Sequence, residues 1–194
     1  MNGQREIIYK ERRKVLDGEN LNQYVLNTFD SVIELTISTY LDGIEQNKIN
    51  KEALYQEIMD ITGISEIDSL KKDHISELIE KAHRIYEDKE KEFGIENLRE
   101  LERVVFLKVV DEKWMDHIDN MDELKNGIGL RAYGQKDPVV QYRIEGADMF
   151  DEMIVNIKYD VTRFLLNARK REGITRVETS KITDASVQDA AINL

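Results

Sequence analysis

The chain has 194 residues, 41% hydrophobic and 35% charged, and its formal net charge of −11 argues against binding nucleic acid, whose phosphates are met by Lys and Arg. With no Cys it excludes disulfides and zinc–thiolate sites, and with no apolar run near ~20 residues it excludes a helix spanning a bilayer. A single Pro, 7% aromatics and abundant Glu, Lys, Leu and Ile predict a soluble, all-α protein with a mostly aliphatic core, and the opening stretch lacks the apolar centre of a signal peptide.

Residues 4–16 predict a short helix with Ile7, Ile8, Glu11 and Val15 along one side. It is entered without a cap, as in a chain cut from a longer one, and Asp17-Gly18 breaks it. A second helix, about 19–41, places Leu21, Val25, Thr28, Val32 and Leu35 on one face with Phe29, Ile33 and Ile37 beside them. Asp42-Gly43 and the polar run after it end this helix. A third, about 51–61, stops at Thr62-Gly63, and 64–72 reads as short and irregular. A fourth, about 73–93, carries Ile75, Leu78, Ile79, Ala82, Ile85, Tyr86 and Phe93 on its core face, with Gly94 as its C-terminal stop. Residues 19–94 thus read as a helical module of their own.

The next helix, about 96–126, has the clearest stripe in the chain: Leu107, Val110, Trp114, Ile118, Met121 and Leu124, at spacings of three and four. A loop over 127–137 follows. Asp137 has the side chain of an N-cap, and Pro138 fits the first helical position, where no N–H is needed. The returning helix carries Val140, Ile144, Ala147, Phe150, Ile154, Ile157, Val161, Phe164 and Ala168. The two stripes predict a long antiparallel hairpin. From Gly173 the tail loses any helical stripe and is expected to be extended or disordered.

The hairpin loop is the first candidate for function. Between Leu124 and Ile144 lie Lys125, Arg131, Lys136 and Arg143 against Asp137 alone, a basic tip in an acidic chain. Tyr133 sits at its middle, between Ala132 and Gly134. One reading is an exposed tip whose aromatic ring grips a partner, since Tyr offers contact area and a hydrogen bond at low entropic cost. The other is an ordinary connection whose Tyr packs back on the hairpin. The loop exceeds the roughly 2–8 residues usual between helices.

Other candidates carry less. Glu80 and His83 form one Glu-x-x-His pair, with Glu87 a turn further on, whereas a carboxylate-bridged di-metal bundle needs two such pairs and two more Glu. The acids there read as a solvated face, so no metal site is expected. His117, in a run with Asp111, Glu112, Asp116 and Asp119, adjoins the apolar stripe while the acids lie off it. It reads as a partly buried, hydrogen-bonded His rather than an acid–base catalyst. His74 has no partner in reach by sequence, and Trp114 reads as core. There is no Walker loop, dinucleotide fingerprint or nucleophile motif, so no catalytic residue is assigned.

The run from Glu102 to Leu165, ERVVFLKVVDEKWMDHIDNMDELKNGIGLRAYGQKDPVVQYRIEGADMFDEMIVNIKYDVTRFL, resembles the C-terminal helical region of the SecA family of bacterial protein-translocation motors. The opening QREIIYKERRKVLDGENL is similar to the end of that family's long scaffold helix, and the stretch between is similar in helical character and position to its helical wing domain. The resemblance implies residues 1–18 as the end of the scaffold helix, 19–95 as wing, 96–172 as helical scaffold with the family's two-helix finger (tip about 127–137), and 173–194 as a C-terminal linker.

By the same resemblance, the finger inserts at the cytoplasmic mouth of the SecY channel and its tip contacts the translocating polypeptide. The tip residues implied are Arg131, Ala132, Tyr133, Gly134, Gln135 and Lys136, and Trp114, Asp137 and Pro138 are structural in the hairpin. The hairpin is also implied to restrain the motor's ATPase. The nucleotide-binding and preprotein cross-linking domains and the zinc-binding tail of the family have no counterpart in this sequence, so ATP, magnesium and zinc are not assigned to these residues. Implied partners are the SecY channel, unfolded preprotein and the motor's remaining domains, at the cytoplasmic face of the plasma membrane as a peripheral protein. Basic tip residues suit acidic channel loops or anionic lipid, and apolar stripe left uncovered is a route to homodimers. A reading from a different class is a free-standing helical adaptor or oligomerisation module; a metal-dependent bundle enzyme is a third.

Overall fold

A computed structural model of the chain describes residues 2–18, 21–45, 51–65, 75–131 and 137–170. Among the described residues there are six helices and no strand: α1 (Asn2–Asp17), α2 (Leu21–Glu45), α3 (Lys51–Thr62), α4 (Ile75–Phe93), α5 (Ile95–Arg131) and α6 (Pro138–Asn167). The all-α fold read from the sequence is therefore observed. His74, the tip residues 132–136 and the tail from 171 lie outside the described residues.

Local chemistry sets several ends. α3 and α4 stop at Gly63 and Gly94, both at positive φ (73° and 83°), and their amides bond back to Met59 O at 2.8 Å and Glu90 O at 3.0 Å. That left-handed stop is cheap only for a residue without Cβ. At the other end of the hairpin, Asp137 caps α6 in an extended conformation, its carboxylate accepting from Val139 N at 2.8 Å, with Pro138 beginning the first turn. Both devices were legible in the sequence.

Two boundaries differ from expectation. α2 continues through Gly43 to Glu45, and α5 continues through Gly127 and Gly129 to Arg131 rather than ending at Asn126. Glycine inside a helix costs about 1 kcal/mol against Ala and does not end one that neighbouring turns support. α5 accordingly ends at Arg131, five residues later than expected.

One apolar core runs through all six helices. α2 contributes Val25, Phe29, Ile33 and Ile37, α3 Leu54 and Ile58, and α4 Leu78, Ala82 and Tyr86, all buried. α3 lies along α6, tied by Tyr159 Oη donating to Glu57 and by Asn167 Nδ2 donating to Ile61 O at 3.1 Å. α1 lies antiparallel on α5: Gln4 is near His117, Arg12 pairs with Asp111, and Gly18 is beside Arg103.

The long pair α5 and α6 forms the predicted hairpin. At 1.5 Å per residue, the 37 and 30 residues of these helices reach roughly 55 and 45 Å. On α5 the buried line is Leu98, Glu102, Phe106, Val110, Trp114, His117, Met121 and Leu124; Leu107 and Ile118 are half-buried at its margin. On α6 the expected stripe needs correction. Phe150, Ile157 and Val161 are buried and Ile154 half-buried, but Val140, Ile144 and Phe164 are more than half exposed and Ala147 faces solvent. The seam instead runs Gly146, Phe150, Met153, Ile157, Val161 and Leu165. Apolar residues occur on several faces of α6, so spacing alone does not select which face is covered. Leu35 on α2 and Ile7 on α1, placed with the core by period, are likewise 45% and 48% exposed.

Candidate functional site

The site is built on the outer half of the hairpin, and its foundation is an aromatic stack. Trp114 and His117, one turn apart on α5, have ring centroids 5.5 Å apart, and Phe150 from α6 meets the imidazole edge-on at 5.6 Å. His117 is only 3% exposed, and its Nε2 lies 3.4 Å from Gln4 Oε1 on α1. Burial pushes the pKa of His117 down, which favours the neutral ring, and the imidazole packs between Trp114 and Phe150. The acids beside it in sequence do not converge on it: Asp111 pairs with Arg12, and Asp116 and Asp119 face solvent.

Just beyond the stack the helices come close. A Cβ on Gly146 would lie 2.7 Å from Met121 Cε, so the absence of a side chain lets the thioether fill that position. Gly146 O accepts a hydrogen bond of 2.9 Å from Gln4 Nε2, which pins the start of α1 to the same point. Sequence reading missed Gly146, because a glycine within a helix is more often read as a weakness than as a contact.

Past this clamp, apolar side chains of α6 stand exposed. Gly127 and Gly129 stand in open space, and Val139, Val140 and Ile144 are 66%, 53% and 52% exposed. Of the proposed tip residues, Arg131 ends α5, while Ala132, Tyr133, Gly134, Gln135 and Lys136 lie outside the described residues. Trp114 is buried on α5, Asp137 caps α6 and Pro138 begins its first turn.

One flank of the outer hairpin carries a feature that the reading by stripes did not find. Two adjoining clefts of about 470 and 210 Å³ share Asn120 and Met149. Glu123, Glu145 and Asp148 line the outer one, and Asp116 and Glu152 the inner one, with Leu124 and Met153 as apolar floor. Lys113, at the inner end, is held by Asp160 at 2.8 Å. The flank therefore offers negative charge over flexible thioether surface.

At the base, a polar cluster joins α4 to α5. Tyr86 Oη and Arg99 Nη1 both donate to Glu102 Oε1, and Arg99 Nη2 donates to Glu90. Glu102 is fully buried, its Oε2 lacks a partner among the described residues, and burial raises its pKa against the lowering effect of its hydrogen bonds. Between α4 and α2, His83 Nε2 lies 2.7 Å from Asp30 Oδ1, and on α4 itself Glu80 faces Arg84 at 3.6 Å. Glu80, His83 and Glu87 do not converge, and among the described residues no group of three or more His, Asp or Glu is placed to hold a metal. No described helix is long and apolar enough to cross a membrane.

Comparison with known proteins gives a consistent result. Residues 1–169 match the family described as the SecA Wing and Scaffold domain. The chain is similar to the protein translocase subunit SecA of Clostridium botulinum (strain Okra / Type B1), 41% identical over 200 residues that cover 99% of this chain and 24% of that protein. It is 45% identical over 196 residues to the SecA of Clostridium perfringens (strain 13 / Type A), covering 96% of this chain and 23% of that protein. With the SecA of Carboxydothermus hydrogenoformans it shares 46% identity over 174 residues, 86% of this chain and 20% of that protein. The chain spans about a quarter of the length of the curated relatives it matches.

Proposed function

The chain belongs to the SecA Wing and Scaffold family, and we propose that it is a non-catalytic part of a motor driving ATP-dependent protein translocation through the SecY channel. The hairpin acts as a lever: its packed base anchors it, and its free end delivers Arg131, Tyr133 and Lys136 to the translocating polypeptide and the channel mouth. The same hairpin restrains the ATPase, whose nucleotide and magnesium are bound by other domains of the motor. The work takes place at the cytoplasmic face of the membrane.

The observation that carries this reading is the contrast along the hairpin. Trp114, His117 and Met121 are buried at its waist, whereas Val139, Val140 and Ile144 beyond the Gly146 clamp stand in solvent. A stiff shaft with an uncovered end is the shape a contact device needs. The acidic, methionine-lined flank adds surface complementary to cationic polypeptide.

Replacing Tyr133 with Ala in the intact motor tests the reading. Translocation is expected to fall while the melting temperature of the 194-residue chain stays nearly constant. A large loss of melting temperature would make Tyr133 a packing residue and remove the tip from the mechanism.

A further inference from the structure

α1, α2, α5 and α6 enclose a second, chemically different cleft of about 320 Å³ near the base of the hairpin. That volume lies at the lower end of the roughly 300–1,000 Å³ typical of small-molecule sites. Its floor is formed by the buried side chains of Ile8, Val15, Phe106, Val110 and Ile157. α1 is pinned along the hairpin by Gln4 on Gly146 and Arg12 on Asp111, with Gly18 beside Arg103, and the cleft lies beneath it.

The polar groups at the rim are unequal. Glu11 is already engaged, accepting from Lys14 at 2.6 Å and from Tyr24 Oη at 2.9 Å. Lys158 also lines the cleft, and its ammonium has no acceptor among the described residues. The charge left over for a ligand is therefore positive.

We propose that this cleft binds an elongated apolar molecule ending in an anion, with its chain on the aliphatic floor and its charged end on Lys158. The apolar floor disfavours small inorganic anions, which would gain nothing from it, and the free cation disfavours cationic amphiphiles. The small volume selects a single short chain, of the kind found in a medium-chain carboxylate. The site is independent of the hairpin tip and of translocation.

The test is calorimetric titration of the 194-residue chain with decanoate, decanol and decyltrimethylammonium below their aggregation limits, followed in parallel by the fluorescence of Trp114, the only Trp and one turn from Val110. Decanoate is expected to bind, decyltrimethylammonium not. Lys158→Met should weaken decanoate about tenfold, the loss of one charge-assisted hydrogen bond, and leave decanol unchanged. Ile154→Trp, at the half-buried rim, should abolish both by filling the cleft. Equal binding of all three amphiphiles, absence of decanoate binding, or decanoate binding that survives Ile154→Trp would overturn the proposal. So would Lys158-dependent capture by phosphatidylglycerol vesicles without any response to free decanoate, which would assign the surface to a membrane lipid.

Discussion

Met121 and Gly146 meet across the hairpin, with the thioether of one occupying the position where a side chain on the other would begin. Its terminal methyl is the free end of a flexible chain and can move aside. Gly146→Ala is therefore expected to keep stability within about 1 kcal/mol, since the cost of displacing that methyl is offset by better helix propensity. Gly146→Leu should cost about 1–3 kcal/mol, because the larger side chain wedges the helices apart. Denaturant unfolding followed by circular dichroism separates the two, and Met121→Ala should recover part of the loss in the Leu variant alone.

Trp114→Ala should remove about 3–5 kcal/mol, the range for deleting a buried aromatic. The indole is 8% exposed and stacks on His117, so its removal uncovers the imidazole as well. A calorimetric melt checks the magnitude; a drop smaller than about 1 kcal/mol would mean the waist of the hairpin is not closed.

The pH dependence of stability should bear the mark of His117. Its folded pKa is lowered by burial, so the unfolded chain binds the proton more tightly. Stability from keeping this ring neutral is present above the unfolded value of about 6.5 and is lost as pH falls below it, at no more than ~1.4 kcal/mol per pH unit for one proton. Wild type minus His117→Phe, measured by urea unfolding from about pH 7.5 to about pH 5, isolates this contribution. A difference that does not vary with pH would refute it.

Asp137→Ala should cost about 1 kcal/mol, and Asp137→Ser should restore most of it, because the hydroxyl also accepts from the helix N-terminus. Hydrogen exchange at Val139, whose amide is held by the Asp137 carboxylate, is the direct readout. It should speed up in the Ala variant without change at Phe150.

What could be read from the sequence follows the range of the forces involved. The Asp137-Pro138 cap and the Gly63 and Gly94 stops are decided within a few residues and were legible. The α5 seam was nearly so, because Trp114, Met121 and Leu124 recur at one helical face. On α6, Val140 and Ile144 fit the same period but are exposed, because which face is buried depended on α5, α3 and α2 packing from elsewhere in the chain. The Tyr86–Arg99–Glu102 cluster and the Asn120–Met149 flank arise only when separate helices are brought together, and no local spacing signals them. Gly127 and Gly129 misled for the opposite reason: their local preference is real but smaller than the support of the helix around them.

The joint between α4 and α5 has a mechanical consequence. A single residue, Gly94, separates α4 from α5, and the guanidinium of Arg99 is tied at once to Glu90 and Tyr86 on one side and Glu102 on the other. Lys89 donates to Ala168 O and Lys170 to Glu92 O, fastening the end of α4 to the far end of α6 as well. With both helices of the hairpin fastened to α4, a force along the hairpin axis is carried into α4 as well, so the three helices move as one piece rather than about a hinge at Gly94.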